Sequence, residues 1–439
     1  MKFLPFSRPR RQLLKALAGA AVSPALIASG RAQTLPARKA GSPIVLRLGP
    51  QSLYLHPDGP ATPVWQPGDG LTTTRLTRDD QSRITLTNDT PFPGAVVLHG
   101  LDGTAGAEPL LSQSPLGPGA SITFDLPAQP GTFLIDPRFL PSDSDRPAVP
   151  RVLVIDGGET FHADREEILL IEDWKLGADG KAQIAGRDGP DMPSLYTINR
   201  RPTHDVTVRP NERLRLRIAS GCQRLVVALK FTDCVMSVVA IDGHPAEPFV
   251  ARDGQIVLAP GSRVDVLLDA TEPVGTQTEI LLHDGIKPIP VGRVVTTFSA
   301  PRRAAPLPPP AASTPPPSKI DLKNAQRIDL SLEPGQWLPA SAFAATLPPV
   351  FRAAVNKTVV LTITNPATTA TTFHLHGHHF RLLDRLDDGW KPYWLDTLAF
   401  NPGQTQRIAF TAAHRGRWLI QCMATKWNAP RRLRWYEVG

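Results

Sequence analysis

Cysteine is scarce, with three residues in 439, too few for a disulfide scaffold. An odd count leaves at least one of Cys222, Cys234 and Cys422 unpaired or acting as a ligand. Cys222 and Cys234 could bridge in an oxidising compartment. On a tight hairpin, however, they sit at unlike distances from the turn and would not approach within the ~7 Å that a disulfide allows. Long apolar runs are lacking too. The one candidate, Ala16 to Ala28, falls well short of the ~20 residues that span a bilayer, so no membrane span is expected once the leader is removed. Helix-period stretches of convincing length are missing beyond that leader, which argues against a helical bundle. Charged residues reach only 20% against 41% hydrophobic ones, which excludes a mainly disordered chain.

Acidic residues are absent from positions 1–32, which instead hold Lys2, Arg8, Arg10, Arg11, Lys15 and Arg31. Removing those six from the 48 basic residues leaves 42 against 40 acidic ones, so the formal charge of +8 is largely a property of this segment. Nucleic acid is therefore not an expected partner. Twin arginines ahead of a modest apolar region and a small-residue site at Gly30-Arg31-Ala32 read as a bacterial Tat export signal over residues 1–32. The expected location is the periplasm. Because the Tat route carries folded proteins, often with cofactor already inserted, a metal becomes a more reasonable expectation.

Proline is plentiful at 47 residues, and glycine adds 33, favouring short elements joined by turns. Their placement repeats. Pro118-Gly119, Pro260-Gly261 and Pro402-Gly403 lie 142 residues apart each time, each feeding a strand of alternating pattern. A glycine-led strand follows in each copy, at Gly131, Gly275 and Gly416, and alternating runs precede it at Arg83–Asn88, Arg213–Ile218 and Val359–Asn365. The reading is all-β: three consecutive Greek-key β-sandwich domains, at residues 40–160, 161–300 and 320–439. Residues 301–319 form a linker; eight of the seventeen residues from Pro301 to Pro317 are proline, the composition of a stiff spacer.

The densest chemical signal is Phe373-His374-Leu375-His376-Gly377-His378-His379-Phe380, four of the eleven histidines. On a strand, His374, His376 and His378 would share a face and His379 would point away. Imidazoles at i and i+2 can ligate one metal or two adjacent ones; equally, the run can be a histidine-rich strand end packed by hydrogen bonds.

This arrangement resembles the multicopper oxidase family, three cupredoxin domains in series, across essentially the whole mature chain. Asn88 to Leu101 and Gly131-Thr132-Phe133 resemble domain 1, Asp173-Trp174 to Val266 domain 2, and Asp396-Thr397 to Cys422 domain 3. The resemblance implies a blue copper held by two His and a Cys, and a three-copper cluster held by four His-x-His pairs. Carried over position by position, few ligands survive. The first domain-1 pair becomes Val97 and His99, the second becomes Asp136 and Arg138, and Thr371 stands in the blue-copper histidine position. The last motif reads Trp418-Leu419-Ile420-Gln421-Cys422-Met423, with Cys422 kept and its histidines gone; Arg432 falls near the axial position. His99, His374, His376 and Cys422 remain as candidate metal residues, with His378 a further one that the family uses structurally. Asp136 is expected to pair with Arg138.

The resemblance extends to a copper-less, Tat-exported branch linked to cell division, which lacks the histidine run kept here. It implies a non-catalytic envelope protein with no copper, acting as a structural or interaction protein with a periplasmic partner. The alternative is a single copper, or zinc, held by His99, His374 and His376 between domains 1 and 3. A working oxidase with unusual ligands is the third reading. Elsewhere, His204, His244 and His283 are expected to be structural, and Arg431, Arg432 and Arg434 to form a solvated tail.

Overall fold

The computed structural model describes residues 44–77, 83–127, 129–137, 144, 146–157, 161–187, 192–311, 320–383 and 391–439. The segment read as an export signal, residues 1–32, and Arg138 lie outside the described residues, as does part of the linker. The protein is built of strands; the helices among the described residues are single 3₁₀ turns.

Among the described residues, six sheets pair into three sandwiches. In domain 1, strands Thr62–Pro67, Ile44–Leu53, Arg83–Asn88 and Ser121–Asp125 face a sheet of Thr73–Thr77, Arg151–Asp156, Gly131–Asp136 and Val97–His99. Domain 2 packs a six-stranded sheet centred on Arg213–Ser220 and Arg263–Asp269 against a five-stranded one. In domain 3, Gln326–Ser331, Thr358–Thr364, Thr405–Thr411 and Arg381–Leu382 lie over the sheet that holds Thr371–Leu375, Gly416–Ala424 and Arg432–Val438. The sheets are mixed. In each domain the first strand runs parallel to its neighbour: Ile44–Leu53 beside Arg83–Asn88, Arg165–Lys175 beside Arg213–Ser220, and Gln326–Ser331 beside Thr358–Thr364.

The threefold Pro-Gly repeat has one conformational cause. Gly119, Gly261 and Gly403 have φ of +74°, +93° and +71°, the left-handed region that a side chain disfavours. Each donates its amide to the C-terminal end of its domain's alternating run, at the carbonyls of Asn88, Ser220 and Asn365 (2.7, 3.0 and 2.9 Å). The turn thus closes the same way three times and launches the same strand.

Each domain has its own core. Leu46, Ile84, Phe133 and Ile155 centre the first, Leu216, Phe231 and Val266 the second, and Phe373, Phe410, Trp418 and Tyr436 the third. The interfaces are apolar as well: Val97 and Leu111 of domain 1 pack with Leu419, Leu433 and Trp435 of domain 3, while Leu134 and Val152 meet Leu170 and Ala219 of domain 2. The start of the proline-rich segment does not stand free. Arg213 donates to the carbonyl of Pro308, and Arg302 and Arg303 pair with Asp164, so this part of the linker is strapped to domain 2.

One side chain ties all three domains. Arg263, fully buried, forms two hydrogen bonds to the Asp396 carboxylate of domain 3 (3.1 and 2.7 Å), donates to the carbonyls of Gly261 and Asp242 in its own domain, and reaches the Thr132 carbonyl of domain 1 (3.3 Å). Its approach leaves no room at Gly100, where a Cβ would lie 2.3 Å from the guanidinium. Replacing Arg263 with Met leaves Asp396 and Asp242 buried without their cation. The expected loss is ~3–5 kcal/mol, seen as an earlier first transition in urea; an unchanged midpoint refutes the role.

Candidate metal centre at the domain interfaces

The strand Thr371–Leu375 and the long strand Gly416–Ala424 alternate between two environments. Phe373, Leu375, Trp418, Ile420 and Cys422 enter the domain 3 core. His374, with Gln421 opposite it in register, lies on the other face, toward domain 1. There His374 meets His99, ring centroids 4.4 Å apart, and His376, 4.6 Å apart. The three histidines read from the sequence as a candidate group therefore do come together, all buried.

Their hydrogen bonds set what each can offer. His374 Nδ1–H donates to Thr397 Oγ1 (2.9 Å), whose own proton goes to Asp396 (2.7 Å), leaving Nε2 as the lone-pair nitrogen. His376 Nδ1–H donates to Glu108 (2.8 Å), and its Nε2 is buried with no hydrogen-bond partner. An imidazole whose Nδ1–H is held by an oxygen is the usual posture of a metal ligand. His99 differs: its Nε2–H donates to Asp136 (3.3 Å), and its partnerless Nδ1 is packed against Gly261. Burial, with His374 adding, lowers the pKa of His99 to about 3; burial likewise lowers that of His374 to about 4, against the pull of Asp396. Both are neutral, as ligands must be.

Tested against copper, the pair His374–His376 fits, and the remaining positions of a three-copper cluster do not. Asp136 is paired with His99 and with Arg431 (3.4 Å), a buried cation of the kind that repels a second metal. Arg431 is thus a cation partner of Asp136 that the sequence did not single out; the expected partner Arg138 lies outside the described residues. Val97, where the family places a histidine, fills the apolar contact with Leu419 and Leu433. The three C-terminal arginines are no solvated tail: Arg431 is buried, and Arg432 and Arg434 lie within the paired strand Arg432–Val438.

The blue-copper position does not fit either. Cys422 is buried in the domain 3 core, its register neighbours being Phe373 and Arg432. Burial pushes its thiol pKa far up, away from the thiolate that binds copper. Thr371 is turned to Asn365 and Thr369, and Arg432 reaches the carbonyls of Pro334 and Trp337.

The strand ends sooner than the alternation predicts. Gly377 has φ +76°, and a Cβ there would lie 2.1 Å from the Trp418 ring, so the chain turns where only glycine fits. His378 is therefore not on the His374 face. It donates from Nδ1 to Tyr436 (2.7 Å) and accepts the His414 amide at Nε2 (3.1 Å), which spends both nitrogens and leaves none for a metal. His379 enters the three-domain junction instead, between Asp102 (2.9 Å) and the carbonyl of Asp242 (2.7 Å). Although burial opposes its charge, the Asp102 carboxylate raises its pKa to about 9. Sequence reasoning missed Asp102 and Glu108, which no local spacing marks; it named His379 only as the residue pointing away from the run and His244 as structural.

The comparisons agree with this architecture. Residues 153–277 and 314–431 each match a multicopper oxidase domain, and the chain belongs to the multicopper oxidase family, whose members bind copper. It is 24% identical to multicopper oxidase MmcO of Mycobacterium tuberculosis, over 93% of this chain and 90% of that protein. Laccase-8 of Oryza sativa is 27% identical over 46% of this chain and 40% of its own length. Among solved structures, a multi-copper oxidase from Pseudomonas thermotolerans superposes with a TM-score of 0.75 at 23% identity, covering 91% of this chain and all of that one. The cupredoxin sandwich fold is thereby shared.

The three cysteines are all free, in line with the expectation that Cys222 and Cys234 do not bridge. Cys222 and Cys422 are buried and Cys234 only partly. A thiol reagent added to native protein should titrate Cys234 slowly and the other two only in denaturant; rapid labelling of Cys422 would contradict its placement.

Proposed function

We propose that this chain is a multicopper oxidase family protein that does not turn over dioxygen, and that its fold serves a structural or interaction role in the bacterial envelope. The observation that carries the reading is Cys422. A thiol in an apolar core with Phe373 and Arg432 as register neighbours, and no imidazole in either family position, has no means of taking an electron from a reductant through copper. The Tat-like leader supports a periplasmic location, and the resemblance to the copper-less division-linked branch supports a protein partner there. Mature protein reconstituted with copper should be colourless, lacking the thiolate-to-copper absorption band, and should consume no oxygen with phenols or Cu(I). A blue band or sustained oxygen uptake overturns the reading.

A second reading is favoured by His376. Its Nε2 is buried without a partner beside His374, while Glu108 fixes the ring. We infer that one copper sits at this pair, with His99 joining if its ring gives up Asp136, which Arg431 would still hold. Copper titration should then saturate at one ion per chain, and His376→Ala should weaken binding by tenfold or more. Wild-type affinity no tighter than millimolar refutes it.

A further inference from the structure

A second cluster lies outside the inherited copper positions. Asp102 of domain 1, His244 of domain 2 and His379 of domain 3 bring one donor atom each to within 4.8 Å of one another. His379 Nδ1 lies 2.9 Å from Asp102 Oδ1, His244 Nε2 lies 3.7 Å from Asp102 Oδ2, and the two imidazole rings are 4.0 Å apart. Each residue is placed by its own domain. Asp102 follows Gly100-Leu101 after the strand Val97–His99, His244 begins the strand His244–Val250, and His379 follows the Gly377 turn.

The ring orientations suit ligation. His379 Nε2–H donates to the Asp242 carbonyl (2.7 Å), fixing the ring so that Nδ1 faces Asp102 and His244. The Gln129 amide lies 3.0 Å from His244 Nε2, the nitrogen nearest Asp102, and this contact has to give way for His244 to ligate. His379 is buried, whereas Asp102 and His244 keep 21% and 25% of their side-chain surface, so an ion could enter and retain water.

We propose that Asp102, His244 and His379 form a mononuclear site for a divalent ion of the zinc class, clamping the three domains at their junction. Two imidazoles and one carboxylate with an open position is a standard donor set for such an ion. Binding displaces the proton between His379 Nδ1 and Asp102 to solvent; no electron is transferred. The carbonyl of Asp242 then orients His379 in the way that outer partners orient metal-bound imidazoles. This site is independent of the copper reading above, since it shares no ligand with His374 or His376.

The test is titration of metal-free, full-length mature protein with Zn²⁺ by calorimetry, with Co²⁺ as a spectroscopic probe. Micromolar or tighter binding of one ion per chain at this site, accompanied by a rise in Tm, is expected. His244→Ala and Asp102→Asn should each weaken it by tenfold or more, and His376→Ala should leave it intact. His244 is partly exposed, so its variant should keep the metal-free Tm; Asp102→Asn provides a second check. Binding unchanged in both variants, loss in His376→Ala alone, or no binding below millimolar Zn²⁺ overturns the proposal.

Discussion

The molecule depends on a buried cation shared among its domains. Arg263 sits in complete burial with Asp396 and Asp242 as counter-charges, and such a group is tolerable only when every donor is answered. The answers come from three domains at once: a carbonyl of Thr132, carbonyls of Gly261 and Asp242, and the carboxylate of Asp396. Asp396 is held ionised well below the usual range: Arg263 and His374 overcome the opposing effect of burial. Asp242, buried beside Asp396, is pushed upward. Through Thr397 the same aspartate fixes the tautomer of His374. The scaffold and the histidine pair are thus one network.

That network accounts for how the contact between domains 1 and 3 is held. Where the family would place histidines, the chain carries groups that satisfy one another: Asp136 with His99 and Arg431, Val97 with Leu419 and Leu433. The contact between domains 1 and 3 joins apolar packing to the pairs Asp136–Arg431 and Glu108–His376. Two imidazole nitrogens are left unanswered among the described residues, His376 Nε2 at the end facing Glu108 and His99 Nδ1 against Gly261.

The sandwich fold was legible because it rests on local rules. A Pro-Gly turn with a left-handed glycine followed by a period-2 strand, repeated at a constant interval, specifies the same closure wherever it occurs. The grouping of His99, His374 and His376 was legible through the family resemblance. What the sequence hid depends on tertiary contact. The strand alternation could not foresee that Gly377 turns under the Trp418 ring and sends His378 and His379 to different compartments. Nor could it show that Arg432 and Arg434 would be drawn into a sheet and Arg431 buried beside it. Arg431 finds Asp136, and the long stems of Arg432 and Arg434 reach carbonyls of residues 334–337. Glu108 gave no signal at all, being a lone acid in a loop.

The greasy seam between the outer domains carries a consequence for how this chain can be divided. Leu419, Leu433 and Trp435 form a half-surface that Ala95, Val97 and Leu111 of domain 1 cover, with Leu110 beside them. A terminal domain cut free would carry that patch into water, where it invites self-association. The three units are repeats by ancestry of pattern, but they are no longer interchangeable beads; each is finished by its neighbours.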